Sequence, residues 1–128
     1  MVDQNVVDEA VKKLNSHKGV VGTIICNGEG IPIRSSMGQE DTVQYTGLMT
    51  TLVLKARRLI RTLPVARRPA EEDDLGIEHD HDHHAAQEEQ ELEVIRLRSE
   101  KHEVIITPEF NSKKMDFILI VVQDPSVV

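Results

Sequence analysis

The sequence predicts an α/β protein with one five-stranded sheet, mixed or antiparallel, a short N-terminal helix and a long second helix. Apolar residues recur at helical spacing over 5–17 and 42–63. Five runs rich in β-branched residues predict strands, at 20–27, 31–35, 92–99, 103–107 and 117–122. One sheet with the helices packed against it is the economical arrangement of this order. The 128 residues suit a single domain, spanning 1–128.

The first helix and the hairpin that follows it have clear boundary signals. Asn5 or Asp3 can cap the helix, and Gly19 suits its C-terminal turn. The sequence NGEG at 27–30 is a dense turn signal between the first two strands. Pro32 cannot donate to a ladder, so the second strand should lie at an edge of the sheet.

The long helix is predicted at 42–63, where apolar residues cover an unusually wide arc. Asp41 and Gln44 have the spacing of a capping box, and Pro64 ends the helix. An arc this wide can pack on a sheet and still leave apolar surface for a second partner.

Residues 64–91 differ in composition from the rest of the chain. They contain ten acidic residues and two arginines, a net charge of −8, whereas the remainder carries +1. Low hydrophobicity and high charge predict a mobile loop inserted into the domain. Metal-ligand side chains are concentrated here, at His79, Asp80, His81, Asp82, His83 and His84. Nothing in such a run fixes their geometry, so a solvated, pH-sensitive loop is preferred to a metal site.

The last three strands differ from one another. Ile95 and Leu97 alternate with Arg96 and Arg98, which predicts a strand with one face in water. The next strand is predicted to stop at Pro108, followed by a polar loop over 109–115. The run at 117–122 is apolar without alternation, which predicts a central strand buried on both faces.

Several function classes are disfavoured by the residues present. The folded part is near neutral, and the only aromatic residues are Tyr45, Phe110 and Phe117, so a nucleic-acid surface is not expected. No phosphate-binding glycine motif occurs, and Cys26 falls in mid-strand, where a thiol is inert. We therefore expect no catalysis and no cofactor. The absence of a signal peptide or a membrane-length apolar run predicts a soluble intracellular protein.

Several segments together resemble one known family. They read KGVVGTII at 18–25, NGEGIPIRS at 27–35, QY at 44–45, LKAR at 54–57, LRS at 97–99, EVII at 103–106 and DFILIVVQ at 116–123. In this order they resemble the roadblock-type dynein light chains, over nearly the whole chain outside residues 64–91.

The resemblance implies a strand order of 2-1-5-4-3. It also implies a homodimer, or a heterodimer with another roadblock-type light chain, in which the long helices pair antiparallel and the third strands can join the sheets. The implied partner is the dynein intermediate chain, and the implied location is the cytoplasm and cytoskeleton. The elaborate insertion at 64–91 departs from simple members of the family and suggests the axoneme of a cilium or flagellum. The candidate dimer and partner residues are Tyr45, Leu48, Met49, Leu52, Lys55, Arg58, Val94, Arg96 and Arg98.

Two other functions remain open at this stage. Relatives with the same fold act as regulators or scaffolds of small GTPases, and they would use the same helical face. A metal buffer acting through residues 79–84 is the third hypothesis.

Overall fold

The computed structural model describes residues 4–64, 90–111 and 114–127. Its elements are α1 (Gln4–Asn15), β1 (Val20–Asn27), β2 (Pro32–Ser35), α2 (Gln39–Thr62), β3 (Ile95–Arg98), β4 (Glu103–Asn111) and β5 (Lys114–Gln123). The strands form one antiparallel sheet in the order β2-β1-β5-β4-β3. The predicted fold class and strand order are therefore confirmed, including the edge position of the strand that contains Pro32.

Strand β5 lies at the centre of the sheet, as its apolar run predicts. Ile118, Ile120 and Val122 point to one face and are fully buried. On the opposite face Val121 is buried, but Leu119 remains only half-buried. Burial is therefore complete on one face only, because the two helices cover the two faces to different extents.

Helix α2 covers the fully buried face, which we call the α2 face. Thr42, Thr46, Thr50 and Val53 are its buried residues. They recur at intervals of three or four, so they form one side of the helix. Beneath them lies a core formed by β1, β5 and β4, with Ile24, Cys26, Val104, Ile106, Ile118, Ile120 and Val122.

Helix α1 lies on the opposite face, which we call the α1 face. The Asn15 Oδ1 atom accepts a hydrogen bond from the Thr23 hydroxyl at 2.9 Å and one from the Ser36 hydroxyl at 3.3 Å. The Ser36 hydroxyl in turn accepts from the Thr23 amide at 2.9 Å. This cluster fixes the end of α1 to β1 and to the connection that leads into α2.

The start of α2 differs from its prediction. The helix begins at Gln39 with Gly38 as its N-cap, and no side chain caps it. The expected capping box of Asp41 and Gln44 is therefore wrong, because both residues already lie inside the helix. The Thr42 hydroxyl instead shares a hydrogen bond of 2.6 Å with the Ser35 hydroxyl, which connects the first turn of α2 to β2.

Strands β3 and β4 also differ from their predictions. β4 continues through Pro108 to Asn111, so the predicted stop and polar loop are wrong. β3 is shorter than predicted. Its first residue, Ile95, pairs with Ile106, and β4 has no β3 partner beyond Ile106. Pro108 therefore lies where β4 has no neighbour on that side, and proline is tolerated at such an edge.

An ion-pair cluster connects the C-terminal half of α2 to the segment before β3. The Arg57 guanidinium donates to both carboxylate oxygens of Glu91, at 2.8 and 2.9 Å, and Arg61 donates to the same carboxylate at 2.9 Å. Arg57 also stacks on the Phe110 ring, 4.1 Å from its centroid. These bonds, those from Arg57 first, lower the pKa of Glu91 to about 2.

The cluster holds the two ends of the polar insertion close to the C-terminal end of α2. Pro64 follows α2, and Glu91 is held against the same end of that helix. Residues 65–89 lie outside the described part of the chain, and with them most of the predicted mobile loop of 64–91 and the histidines at 79, 81, 83 and 84.

Replacing Gly22 by alanine should destabilise the fold. A Cβ atom on Gly22 would stand 2.7 Å from the Met37 sulfur and closer still to the Met37 Cγ. We expect a loss of about 1–3 kcal/mol, typical of overpacking, measured by chemical denaturation. Gly47→Ala is the matched control. The space around Gly47 is open, and alanine should stabilise a helix interior by about 0.5–1 kcal/mol. Equal stability of the two variants would contradict the close packing of Met37.

Replacing Glu91 by glutamine should lower the stability by about 1 kcal/mol at neutral pH. A third of the Glu91 side chain is exposed, at 34%, so water screens its ion pairs and the effect stays modest. Folding lowers the pKa from 4.5 to about 2, so this contribution is complete above about pH 4.5 and is lost as the pH falls towards 2. Denaturation curves of wild type and Glu91→Gln should therefore converge in acid. A difference that stays constant down to pH 2 would show that the carboxylate charge is not responsible.

Candidate partner-binding surface

The long helix presents a row of apolar side chains away from the core. Tyr45, Leu48, Leu52 and Leu59 are separated by three, four and seven residues, which places them on one flank of the helix. We call these four residues the α2 stripe. Leu48 and Leu59 are each 59% exposed, while Tyr45 and Leu52 also touch the core at their inner edges.

The position of the α2 stripe follows from the period of the helix. The side that faces the sheet is taken by the threonines and Val53, so an apolar arc wider than this side must extend onto a flank. Met49 lies between the core and the α2 stripe on the helix and packs against the core. A connected exposed apolar surface of this kind is typical of an interaction site.

Charge is distributed unevenly along the same helix. Its first turn contains Glu40 and Asp41, and its last two turns contain Lys55, Arg58 and Arg61. Lys55 and Arg58 are exposed. One end of the helix is therefore acidic and the other basic. This distribution affects the direction in which a second helix would pack against it.

A shallow cleft of about 500 Å³ lies beside the N-terminal half of α2. Tyr45, Leu48 and Met49 form one wall, and Asp41 and Gln44 reach its rim. The opposite wall comes from the ends of β1 and β5 and from the residues just before α2 and β4. The cleft thus continues the α2 stripe towards the sheet, and a side chain from a second molecule could enter it.

The outer edge of the sheet is formed by β3, which pairs only with β4. Leu97 points to the α2 face and is 41% exposed, and Val94, just before the strand, is also exposed. A short unpaired edge next to exposed apolar side chains is a template for another strand.

Arg96 and Arg98 point to the other face of the sheet, where both pair with Glu103. The Arg96 Nε atom donates to the Glu103 carboxylate at 2.9 Å, and Arg98 lies 3.6 Å from its second oxygen. The carboxylate is buried while both guanidinium groups remain largely exposed.

The structure thus brings the predicted site residues together only in part. Tyr45, Leu48, Met49 and Leu52 form one surface, whereas Arg96 and Arg98 lie on the opposite face of the sheet. Sequence reasoning omitted Leu59 and Leu97 from the site. The helical and strand periods could have identified both.

Neither an accessible thiol nor a cluster of metal-ligand side chains is found in the described ranges. Cys26 is fully buried, and this burial raises the pKa of its thiol, while the neighbouring Thr50 hydroxyl acts in the opposite direction. No three potential ligands among histidine, cysteine, aspartate and glutamate cluster within residues 4–64, 90–111 and 114–127.

The fold is shared with solved structures of low sequence identity. The Roadblock/LC7 domain from Streptomyces avermitilis superposes with a TM-score of 0.64 and 9% identity, over 94% of this chain and 80% of that one. The gliding protein MglB from Thermus thermophilus gives a TM-score of 0.66 and 7% identity, over 100% and 79%. A structure described as MglB with tetrameric arrangement gives 0.65 and 7%, over 99% and 78%.

The family itself is established by sequence. The family model described as Roadblock/LC7 domain matches residues 6–70, from α1 through the whole of α2 and beyond its end. This range includes the hairpin and the α2 stripe. The chain belongs to the Roadblock/LC7 domain family.

Proposed function

We propose that this chain is a non-catalytic light-chain subunit of a dynein motor complex, which dimerises and binds the dynein intermediate chain. The exposed apolar α2 stripe, on the same side of the sheet as the exposed Leu97 of the β3 edge strand, is the observation that supports this proposal best. Together they offer a second chain both apolar side chains and an unpaired backbone. The intermediate chain is proposed as the partner because several segments of the sequence resemble roadblock-type dynein light chains.

The charge distribution of α2 favours an antiparallel pair of helices. Antiparallel packing places the acidic first turn, with Glu40 and Asp41, towards the basic end of the partner helix, which carries Lys55 and Arg58. Parallel packing would instead bring like charges together. Complementary charges of this kind mainly set register and association rate, while burial of the α2 stripe supplies affinity.

The spacing of the α2 stripe sets the centre of such a pair. Tyr45 and Leu59 are equally distant from Leu52, so an antiparallel neighbour would place Tyr45 opposite Leu59 and Leu52 near its own copy. The cleft beside the N-terminal half would then receive side chains from the partner's C-terminal half. Obligate interfaces typically bury at least about 2,000 Å², and pairing of the β3 edges would extend the helix contact towards that size.

The proposal includes a location and an alternative. We place the chain in the cytoplasm and cytoskeleton, and in the axoneme of a cilium or flagellum because of its acidic insertion. A regulator or scaffold of a small GTPase is the alternative, since it would use the same helical surface without a catalytic residue from this chain.

Replacing Leu48 by aspartate should convert the dimer to a monomer. Leu48 is already exposed in the single chain, so the variant should fold normally, but in a dimer it would bury an unpaired charge. Analytical ultracentrifugation would measure the change, and we expect the dissociation constant to rise by about 100-fold or more. Val43→Asp is the matched control. Val43 is exposed to a similar degree, 61% against 59%, but lies on the opposite flank of α2. Dimerisation that survives Leu48→Asp would exclude the α2 stripe as the interface.

The purified full chain should capture the N-terminal half of a dynein intermediate chain. Pull-downs with intermediate chains from cytoplasmic and axonemal dyneins should give stoichiometric retention of at least one. The one retained would indicate which motor the chain serves. Failure of a folded, dimeric preparation to retain any, combined with a changed GTPase hydrolysis or exchange rate, would favour the alternative.

A further inference from the structure

Two arginines of the edge strand β3 are held in place by one buried carboxylate. The Arg96 Nε and Nη2 atoms both donate to the Glu103 Oε1 atom, and the Arg98 Nε atom lies 3.6 Å from Oε2. The Glu103 side chain is only 4% exposed, whereas those of Arg96 and Arg98 are 65% and 63% exposed. A buried carboxylate keeps its charge only when it is paired, so Glu103 orients both guanidinium groups while their outer sides stay in water.

The open edge of β3 is formed by the backbone groups of the same two arginines. The Ser99 amide donates to the His102 carbonyl at 2.7 Å, on the side of β4. Hydrogen-bonding direction alternates along an antiparallel strand, so the amide and carbonyl of Leu97 point to β4 and those of Arg96 and Arg98 point outward. Both arginines would therefore exchange backbone hydrogen bonds with a strand added at this edge.

Pairing of two β3 edges, as in the proposed dimer, would bring the arginines of both protomers together. Antiparallel pairing centred on Leu97 places Arg96 opposite the partner's Arg98, and Arg98 opposite the partner's Arg96. All of these side chains lie on the α1 face, because side chains alternate between the two faces of a sheet. Like charges directly opposite each other destabilise a sheet. The Glu103 carboxylates offset only part of this repulsion, since each protomer contributes two guanidinium groups and one carboxylate, so the junction keeps an excess of positive charge.

We propose that the paired β3 edges form a binding site for a multivalent phosphate anion, with Arg96 and Arg98 contributed by both protomers. This site rests on the proposed function, which supplies the dimer. A guanidinium group offers planar pairs of N–H donors that match phosphate oxygens, so arginine suits such an anion. An anion bound at the junction neutralises the excess charge and stabilises the dimer, because it binds the dimer in preference to the monomer. The site is incomplete in a single protomer, which supplies only half of the arginines.

The surroundings of the junction favour a small soluble anion over a membrane surface. Helix α1 stands on β1 and β2, so the junction of the dimer lies between two α1 helices on the α1 face. A flat bilayer would meet these helices first, whereas a small anion can enter between them. Phosphate groups of a soluble anion therefore fit the site better than those of a lipid headgroup.

Sedimentation equilibrium of the full chain with inorganic tripolyphosphate tests the site, at an ionic strength kept constant with sodium chloride. At a concentration of about ten times its own Kd, the anion should lower the Kd of the dimer about tenfold. Calorimetry should give one anion for every two chains. Arg98→Gln should abolish the response, and without the anion its dimer should be at least as tight as that of wild type, because like-charge repulsion is relieved. This variant should fold, since Glu103 keeps its hydrogen bonds with Arg96.

The control and the remaining outcomes separate this site from the proposed function. Lys12→Gln removes one positive charge from an exposed residue of α1 and should leave the response to tripolyphosphate unchanged. Equal tightening by sodium chloride alone would indicate general screening and would overturn the site. A dimer that does not respond to tripolyphosphate overturns the site and leaves the dimer standing, whereas a chain that stays monomeric throughout overturns both. Retention on vesicles that contain a phosphoinositide, without a response to tripolyphosphate, would assign the arginines to a membrane and overturn the soluble anion.

Discussion

The burial of one sheet face beneath a single long helix is the constraint on which the structure depends. Helix α2 crosses β1, β5 and β4, and its buried side chains are three threonines and a valine. Short side chains let the helix approach the sheet closely, while the branched residues of the strands fill the core. One helix can bury only one of its sides in this way. The apolar residues on its flank therefore remain at the surface.

Two kinds of surface follow from this arrangement. The α2 stripe and the exposed side chain of Leu97 lie on the α2 face of the sheet, where a second copy of the chain is proposed to pack. On the other side, the described residues leave the part of the α1 face over β5 and β4 without a helix. The ion pairs of Glu91 with Arg57 and Arg61 hold the segment before β3 against α2. The acidity of the protein belongs to residues 64–91, and the described charges act locally in pairs and clusters.

The sequence predicts the elements better than their ends. Period and β-branched runs identify both helices, the hairpin and the central strand, because burial requires those patterns. The course of β4 through Pro108 could not be predicted, since it depends on where the neighbouring strand ends. The N-cap at Gly38 could not be predicted either. No side chain caps the helix there, and its first turn is connected to β2 by the hydroxyl pair of Ser35 and Thr42. Long-range polar contacts such as the one between Arg57 and Glu91 leave no local signal.

The candidate site likewise has features that the sequence predicts and features that depend on contacts between distant residues. The apolar residues of α2 could be placed on one surface from helical spacing alone. The position of Arg96 and Arg98 on the opposite face follows from strand alternation, but their pairing with Glu103 depends on register. How much of the sheet α1 covers could not be predicted from the sequence, because it depends on the position at which the helix packs on β1 and β2.

Distances between spin labels on two copies of α2 test the central claim most directly. Single labels at Gln44, Thr51 and Arg58, all exposed, would be measured by pulsed electron paramagnetic resonance in the full-length protein. Antiparallel pairing about Leu52 predicts the shortest distance at Thr51. It also predicts separations along the helix axis of about 24 Å at Gln44 and about 18 Å at Arg58. Equal distances at the three positions would indicate parallel helices, and no dipolar coupling at any of them would mean that α2 does not pair with its copy. Either result would contradict the account.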